Sequence, residues 1–426
     1  FLLFGWLFSK FKTKTYLDIF YFSFLWVFLE YFRTLVFALV TLAPDSFFGA
    51  HSTFGFLGYV LASNANLLQL AQFGGVYLLS FIVIFVNLFI YWTFSKGKKG
   101  QLKLKLLILI VFIIFINLPP NIFIKEDNSK EREIKVSVLQ TKNEAFSSIT
   151  QQKEERKRKI YENLLLEIGK KVPDSEIIIF PEDTRFTQKL INNWRLENYY
   201  KYIFGDDEKM IIDSSRMRDK NNQTKLRLYY YNIEKDQMDE YDKLLLTPGG
   251  EYVPSIFMFL SRLAGFGGWA KELNEGKYTR GKSLEIGYFK NKGIGGVFCF
   301  EITSPEISRK MTQEGAQLFV NPVSHSSFKG YPILYHQTLN MIKVRAVENN
   351  RYFIQAGNYI PSSIITNKGR VISNKKTGPS VFNERVFFKD GQTLYVRFGN
   401  WLVGLAAVVI IIFIGRFFYI KFKWFV

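Results

Sequence analysis

One cysteine and three histidines are the chain's whole supply of thiol and imidazole: Cys299, His51, His325 and His336. A lone cysteine excludes an internal disulfide. The histidines show no ligand-like spacing with one another, with acids or with the cysteine, so no metal is expected. Glycine-rich phosphate loops are missing as well, since PGGEY and GFGG lack both the following Lys-Ser/Thr and a strand-to-helix setting. No other cofactor is suggested. A formal charge of +19 raises nucleic acid as a partner, but no basic stripe carries ordered aromatic interleaving. Internal repeats and low-complexity linkers are absent. The opening FLLFGWLFSK has no Met and no cleavage-type stretch after it, and reads as the tail of an upstream span rather than a signal peptide.

What the chain does have is apolar sequence, unevenly spread. A helix needs about 20 apolar residues to cross a bilayer. Tyr16 to about Leu42, Gly75 to Thr93, a shorter run from Leu104 to about Leu118, and Trp401 to about Tyr419 are the candidates. The stretch His51 to Phe73 is broken by Ser63, Asn64, Asn66 and Gln69, which suits an interfacial or re-entrant segment. Basic residues cluster at three places: Lys10, Lys12 and Lys14; Lys96, Lys98, Lys99, Lys103 and Lys105; and Arg416, Lys421 and Lys423. With all three clusters in the cytoplasm, the intervening soluble block faces the other side. The expected organisation is membrane helices over 1–125, an extracytoplasmic domain over 126–395 and a last span over 396–426. Glu30 and Arg33 lie one helical turn apart within an apolar run, where charges are costly, and could pair.

Inside the soluble block strands and helices alternate. EIKVSVLQ at 133–140 predicts a strand, and 151–171 predicts a helix with Ile160, Leu164, Leu165 and Ile168 on one face. IIIFP at 177–181 has the continuous apolar character of a strand buried on both sides. Further strands are expected at 209–214, 225–233, 238–247, 294–300, 317–321, 352–356 and 360–365, with a helix over 331–350. Ser304-Pro305-Glu306 is a helix start with a capping hydroxyl, a first-turn proline and an early acid.

Three residues in this pattern can carry chemistry. Cys299 ends the strand IGGVF just before that helix start, a position that would lower a thiol pKa; the alternative is a buried structural cysteine. Glu182 emerges at the carboxyl end of the IIIFP strand, either as a general base with a raised pKa or as a solvated acid. Lys243 opens another apolar stretch and calls for an anionic partner, or is simply a surface strand residue. Together a carboxylate, an amine and a thiol at strand ends supply a base, an oxyanion stabiliser and a nucleophile for acyl transfer.

The motifs around them, FPEDTRF, YDK followed by PGGEYVP, and GVFCFEITSPE, resemble those of the nitrilase or carbon-nitrogen hydrolase superfamily, in the wording of its membrane branch, the apolipoprotein N-acyltransferases. RAVENNRYFIQAGNYIPSS and the membrane stretches FLWVFLEYFRTLVF and LGYVLASNANLLQLAQFGGVYLLSFIVIFVN extend the resemblance over nearly the whole chain. It implies a polytopic membrane part plus a nitrilase-like α/β domain in αββα layers, outside the bacterial cytoplasmic membrane. It also implies a Glu182, Lys243, Cys299 triad that takes an acyl group from a phosphatidylethanolamine-like phospholipid and passes it to a diacylated apolipoprotein. Glu251 corresponds to an additional essential acid near the lysine, and Glu301 to the acid after the cysteine. A monomer is expected.

The chain departs from that pattern at Phe300, where the family usually has Tyr, and at Ser324-His325-Ser326-Ser327-Phe328-Lys329, where it commonly reads Asn-Asp-Ala-Trp-Phe-Gly. The usual Gln-Gly-Asn after the first strand is Gln140-Thr141-Lys142-Asn143. These changes bear on the acceptor. An amidase using the same triad and a non-catalytic lipid-binding relative are the rival readings. The apolar segment 253–273 is either a helix packed in the core or a lid dipping into the bilayer.

Overall fold

The computed structural model describes residues 2–13, 15–94, 99–118, 132–144, 151–192, 196–274, 277–374, 376 and 378–422. Lys14, Lys96, Lys98, Lys423 and the expected 125/126 boundary lie outside them.

The amino-terminal part is helical: α1 Leu2–Phe11, α2 Leu17–Val40, the short α3 Ala65–Leu68, α4 Ala71–Phe94 and α5 Lys99–Asn117. Among the described residues, α2 and α4 are long and apolar enough to cross a membrane, with Leu2–Phe11 and Trp401–Gly415 as shorter apolar helices. The stretch from His51 does not form a span. It breaks into a 3-10 turn, Leu57–Ser63, and α3, which Asn64 caps by accepting from the backbone N–H of Asn66 and Leu67. Nor do Glu30 and Arg33 engage each other by hydrogen bonding. Glu30 accepts from Leu57 N at 2.9 Å and Arg33 donates to Phe54 O at 2.8 Å, because unpaired backbone in this loop competes for them. Helix α4 is kinked where Gly75 takes φ +64; a Cβ there would lie 2.6 Å from the Tyr395 ring.

The soluble block runs β1 Glu133–Gln140, α6 Gln151–Lys171, β2 Ile177–Ile179, α7 Phe186–Asn192, α8 Leu196–Phe204, β3 Met210–Arg218, β4 Thr224–Asn232 and β5 Gln237–Asp242. It continues through α9 Ser255–Leu263, α10 Gly267–Asn274, β6 Ile286–Phe289, β7 Lys292–Gly296, α11 Pro305–Gln313, β8 Ala316–Ser324, α12 Pro332–Asn349 and β9 Phe353–Asn358. Strands β10 Ser363–Ile365, β11 Val371–Ser373 and β12 Ser380–Phe387 close it. Helix α13 Leu394–Phe398 bridges the expected 395/396 boundary and leads to α14 Trp401–Phe422.

Two six-stranded sheets result, ordered β12-β1-β2-β3-β4-β5 and β11-β10-β9-β8-β7-β6. Strands β1, β2 and β3 are parallel in the first, and β7, β8 and β9 in the second. Side-chain alternation sets the layers. In the first sheet Val136, Val138, Ile177, Ile179 and Ile212 point into a core shared with Ile294, Leu318, Val320 and Ile354 of the second. Their neighbours Leu139, Ile178 and Ile211 face outward onto Tyr161, Leu165 and Ile168 of α6 and Tyr200 and Phe204 of α8. Helices α11 and α12 cover the second sheet with Ile307, Met311, Ile342 and Val344. The order is helix, sheet, sheet, helix. The same apolar cluster also takes in Val27, Val76 and Leu402 of the apolar helices α2, α4 and α14, so the two parts share one interior.

Candidate active site

Glu182, Lys243 and Cys299 each follow the carboxyl end of a strand: β2, β5 and β7 respectively. Glu182 and Cys299 line one cavity of about 550 Å³ together with Glu251, Tyr278, Ser324 and Asn358, and Lys243 joins them through its bond to Glu251.

Lys243 is 1% exposed. Its Nζ donates to Glu251 Oε1 at 2.7 Å and stands 3.9 Å from Glu182 Oε1. Burial alone would lower the lysine's pKa, but the carboxylates of Glu251 and Glu182 and the facing Cys299 outweigh it and hold the ammonium well above its usual range. Glu251 is fixed in turn by Thr247 N, which donates to Oε2 at 2.7 Å. The strand expected over 238–247 stops at Asp242, and the sheet edge gives way to the loop that carries both residues.

Glu182 lies beside this pair. Burial, reinforced by Glu251 and Asp183 and opposed by Lys243, pushes its carboxyl up to about 7. Ser324 N donates to Oε2 at 3.1 Å and also faces the Cys299 thiol. Its neighbours Asp183 and Arg185 have φ of +56 and +60, so the strand end turns sharply and the carboxylate is held by backbone shape.

Cys299 does not sit at the end of a strand as expected. Strand β7 stops at Gly296, where the opposite sheet leaves no room for a side chain: a Cβ would lie 2.3 Å from Leu228 Cδ2. Cys299 instead opens a 3-10 turn, Cys299–Thr303, with φ +25. Nor is its thiol pKa lowered. Burial raises it, Glu182 adds to the rise, and Lys243 opposes both. The nearby helix α11, capped by Ser304 accepting from Ile307 N, does not outweigh that.

Glu301 is fully buried and lies outside the cavity lining. Its Oε1 accepts from Tyr241 Oη at 2.8 Å, Leu244 N at 2.8 Å and Leu245 N at 3.0 Å, while Oε2 accepts from Phe298 N at 2.9 Å. One carboxylate thus locks the lysine loop to the cysteine turn. Phe300 packs partly buried against the core and does not line the cavity. His325 is buried at 2% exposure and also stands apart from the cavity lining; burial pushes it down to about 4. Ser324 contributes its backbone N–H, and its Oγ accepts from Asn358 Nδ2 at 2.9 Å.

Sequence reasoning did not single out Asn358, Tyr278 or Arg216. Asn358 ties β9 to the first sheet, accepting from Thr141 Oγ1 at 2.9 Å and Asn143 N at 2.7 Å. Arg216 lines the cavity, pairs with Asp183 at 2.8 Å and lies 5.3 Å over the Tyr278 ring. Nothing in local pattern marks such residues, since they meet only through sheet pairing. No group of three or more His, Cys, Asp or Glu among the described residues is placed to hold a metal.

Residues 208–394 match the carbon-nitrogen hydrolase family model, and residues 1–89 match the apolipoprotein N-acyltransferase N-terminal domain. With the two faced sheets and the apolar helices, these matches define the class: a carbon-nitrogen hydrolase domain joined to a membrane-helical part. The chain is 26% identical over 410 residues to the apolipoprotein N-acyltransferase of Geobacter metallireducens, covering 91% of this chain and 73% of that protein. An apolipoprotein N-acyltransferase of Treponema denticola is 23% identical (91% and 75% covered), and that of Rickettsia typhi 25% (92% and 75%). Over about nine-tenths of its length the chain is thus similar to apolipoprotein N-acyltransferases. Among solved structures, a Saccharomyces cerevisiae member of branch 10 of the nitrilase superfamily aligns with a TM-score of 0.45 at 13% identity, over 65% of this chain and 96% of its own.

Proposed function

We propose that the protein N-acylates the amino-terminal diacylglyceryl-cysteine of lipoproteins, using a phospholipid as acyl donor and Cys299 as the group that carries the acyl chain. The observation that carries this reading is that Cys299, Glu182 and Glu251 line one cavity, with the buried Lys243 Nζ 2.7 Å from Glu251 and 3.9 Å from Glu182.

In the first half-reaction Glu182 takes the thiol proton as sulfur attacks the ester carbonyl. Because the thiol pKa is raised, proton removal accompanies attack instead of preceding it. Lys243, held protonated by two acids, stabilises the developing oxyanion. The C–O bond of the ester breaks, Glu182 returns the proton to the departing lysophospholipid alcohol, and a thioester remains on Cys299. In the second half the acceptor's α-amino group attacks that thioester, Glu182 removes its proton, and the thiol is regenerated. Glu251 keeps the lysine charged and aimed. Glu301 acts through position, holding the two loops together.

A membrane setting supports a lipid donor. Ser255 N donates to Leu42 O at 2.8 Å and Tyr252 Oη to Thr41 O at 2.9 Å, tying the start of α9 to the end of the apolar helix α2. From there α9, α10 and the turn between them expose Phe259, Leu263, Phe266 and Trp269, while Glu272 and Leu273 line the cavity. Exposed apolar helices at that place suit a lid resting in the bilayer interface. In the orientation we infer, the three basic clusters face the cytoplasm and the cavity opens outside.

The test is triacylation of a diacylated lipopeptide by purified enzyme in phosphatidylethanolamine vesicles. Cys299→Ala is expected to abolish it; a Cys299→Ala protein that still forms triacylated peptide sinks the reading.

A further inference from the structure

The buried Arg345 guanidinium stands between the turn that carries Cys299 and the loop that precedes the membrane helix α4. Arg345 and Glu348 are both 0% exposed and ion-paired through Nη1 and Oε2. The remaining donors are spread over other segments. Nε donates to Ile302 O at 3.3 Å, within the Cys299–Thr303 turn. Nη2 donates to Tyr59 Oη and to Thr53 Oγ1, the latter at 3.4 Å. Thr53 closes the circuit, since its N and Oγ1 both donate to Thr303 O, at 3.2 and 2.5 Å. Glu348 Oε1 accepts from Val76 N at 2.7 Å, the first amide after the Gly75 kink.

A buried ion pair is weak evidence for stability, since well-packed apolar residues of similar volume often do as well. Its use lies in fixing geometry, and here the geometry it fixes is specific. Two carbonyls of the five-residue turn opened by Cys299, those of Ile302 and Thr303, end on Arg345 and Thr53. Cys299 itself is held at φ +25, a conformation that non-glycine residues keep only when their surroundings impose it. The planar fork of arginine can serve several acceptors in fixed directions, which a lysine cannot.

We infer that Arg345 is a positioning residue that couples the seating of the loop Thr53–Tyr59 and the α4 kink to the placement of the Cys299 sulfur, so that reactivity at the cavity depends on the membrane part. The inference takes from the proposed function only that Cys299 is the working thiol.

The test exploits the single cysteine: alkylation by iodoacetamide, followed by intact mass, reports Cys299 in the full-length protein without any lipid. Tyr59→Phe and, as a second variant, Thr53→Val each remove one link while leaving the ion pair. Each should slow alkylation roughly three- to tenfold, the scale of one ordinary intramolecular hydrogen bond. Each should slow phospholipid-dependent acylation by the same factor, in kcat and not in KM, with thermal unfolding near that of the parent. Arg345→Lys should behave likewise. Lys343→Met is the control, because Lys343 joins the same helix to the same loop at Ala62 O without reaching the cysteine turn; it should leave alkylation unchanged. Parent-like alkylation of folded Tyr59→Phe and Thr53→Val overturns the inference. So does an equal loss in Lys343→Met, which would mean general loosening. If alkylation depends on Tyr59 but the parent never acquires an acyl group, the coupling stands and the acyl-transfer reading fails.

Discussion

Lys243 donates to Glu251 at 2.7 Å from a site where only 1% of its side chain meets solvent. Removing Glu251 leaves a buried ammonium with Glu182, at 3.9 Å, as its nearest acid. Glu251→Ala should therefore lower stability by about 3 kcal/mol, the lower end for breaking a buried pair. It should also slow acyl loading of Cys299 roughly a hundredfold, as when one oxyanion donor is lost or misaimed. Thermal unfolding and single-turnover mass spectrometry measure the two effects on the same samples; a parent-like result in both contradicts the assigned pairing.

With Glu182 pushed up to about 7, acyl loading should rise with pH through that value, because the base must be unprotonated to accept the thiol proton. Glu182→Gln should abolish the rise together with the activity. The same shift has a stability consequence. The folded state holds this proton above the ordinary value of 4.5, so the stabilisation is full at low pH and is lost as pH rises from 4.5 through about 7. Denaturant midpoints measured across that range should show a downward slope that flattens in Glu182→Gln.

Glu301→Gln tests position without touching the cavity. The carboxylate accepts four hydrogen bonds, and the amide would turn a donor toward groups that are themselves donors. A loss of about 2 kcal/mol in stability is expected from leaving a buried partner unsatisfied. Acyl loading should fall with it, while its rise through pH about 7 should persist, since the base is untouched. A profile that shifts would assign Glu301 a direct proton role.

Trp269 and Leu263, exposed at 54% and 70%, belong to the helices tied to the end of α2. Replacing both with Ser should reduce the rate with phospholipid vesicles severalfold, as expected when buried interfacial apolar area is removed, and leave the rate with a detergent-dispersed short-chain donor unchanged. Equal losses with both donors would point to a packing role.

Much of this architecture was legible in the sequence. The strand at 133–140 and the helix at 151–171 have the expected limits, because each shows an uninterrupted periodicity with nothing to break it. Glu182, Lys243 and Cys299 stand out as chemistry-bearing groups near strand ends; Glu182 and Cys299 line one cavity, and Lys243 is buried beside it, bonded to Glu251. What failed is what depends on tertiary neighbours. Strand β7 ends at Gly296, four residues earlier than expected, where Leu228 and Tyr230 of the facing sheet come so close that only glycine fits. The edge strands β6, β11 and β12 were not anticipated; β6 and β11 are short, and β12 returns over a long distance to pair with β1. The thiol pKa moved opposite to expectation, since burial and Glu182 outweigh a helix end. The segment 253–273 forms two helices with exposed apolar faces and is not packed in the core. Arg345 was visible only as one letter in a motif, because its partners Ile302, Thr53 and Tyr59 are distant in the chain and meet it only in the folded structure.

The central claim is that Cys299 carries the acyl group between two substrates. Intact-mass analysis of the purified protein in phosphatidylethanolamine vesicles, with and without a diacylated lipopeptide, tests it directly. The account predicts one added acyl mass on Cys299 that persists without lipopeptide and disappears, as the lipopeptide becomes triacylated, when it is added. An adduct that decays at the same rate in both samples would make the protein a hydrolase, and the absence of any adduct where a reference acyltransferase forms one would contradict the account.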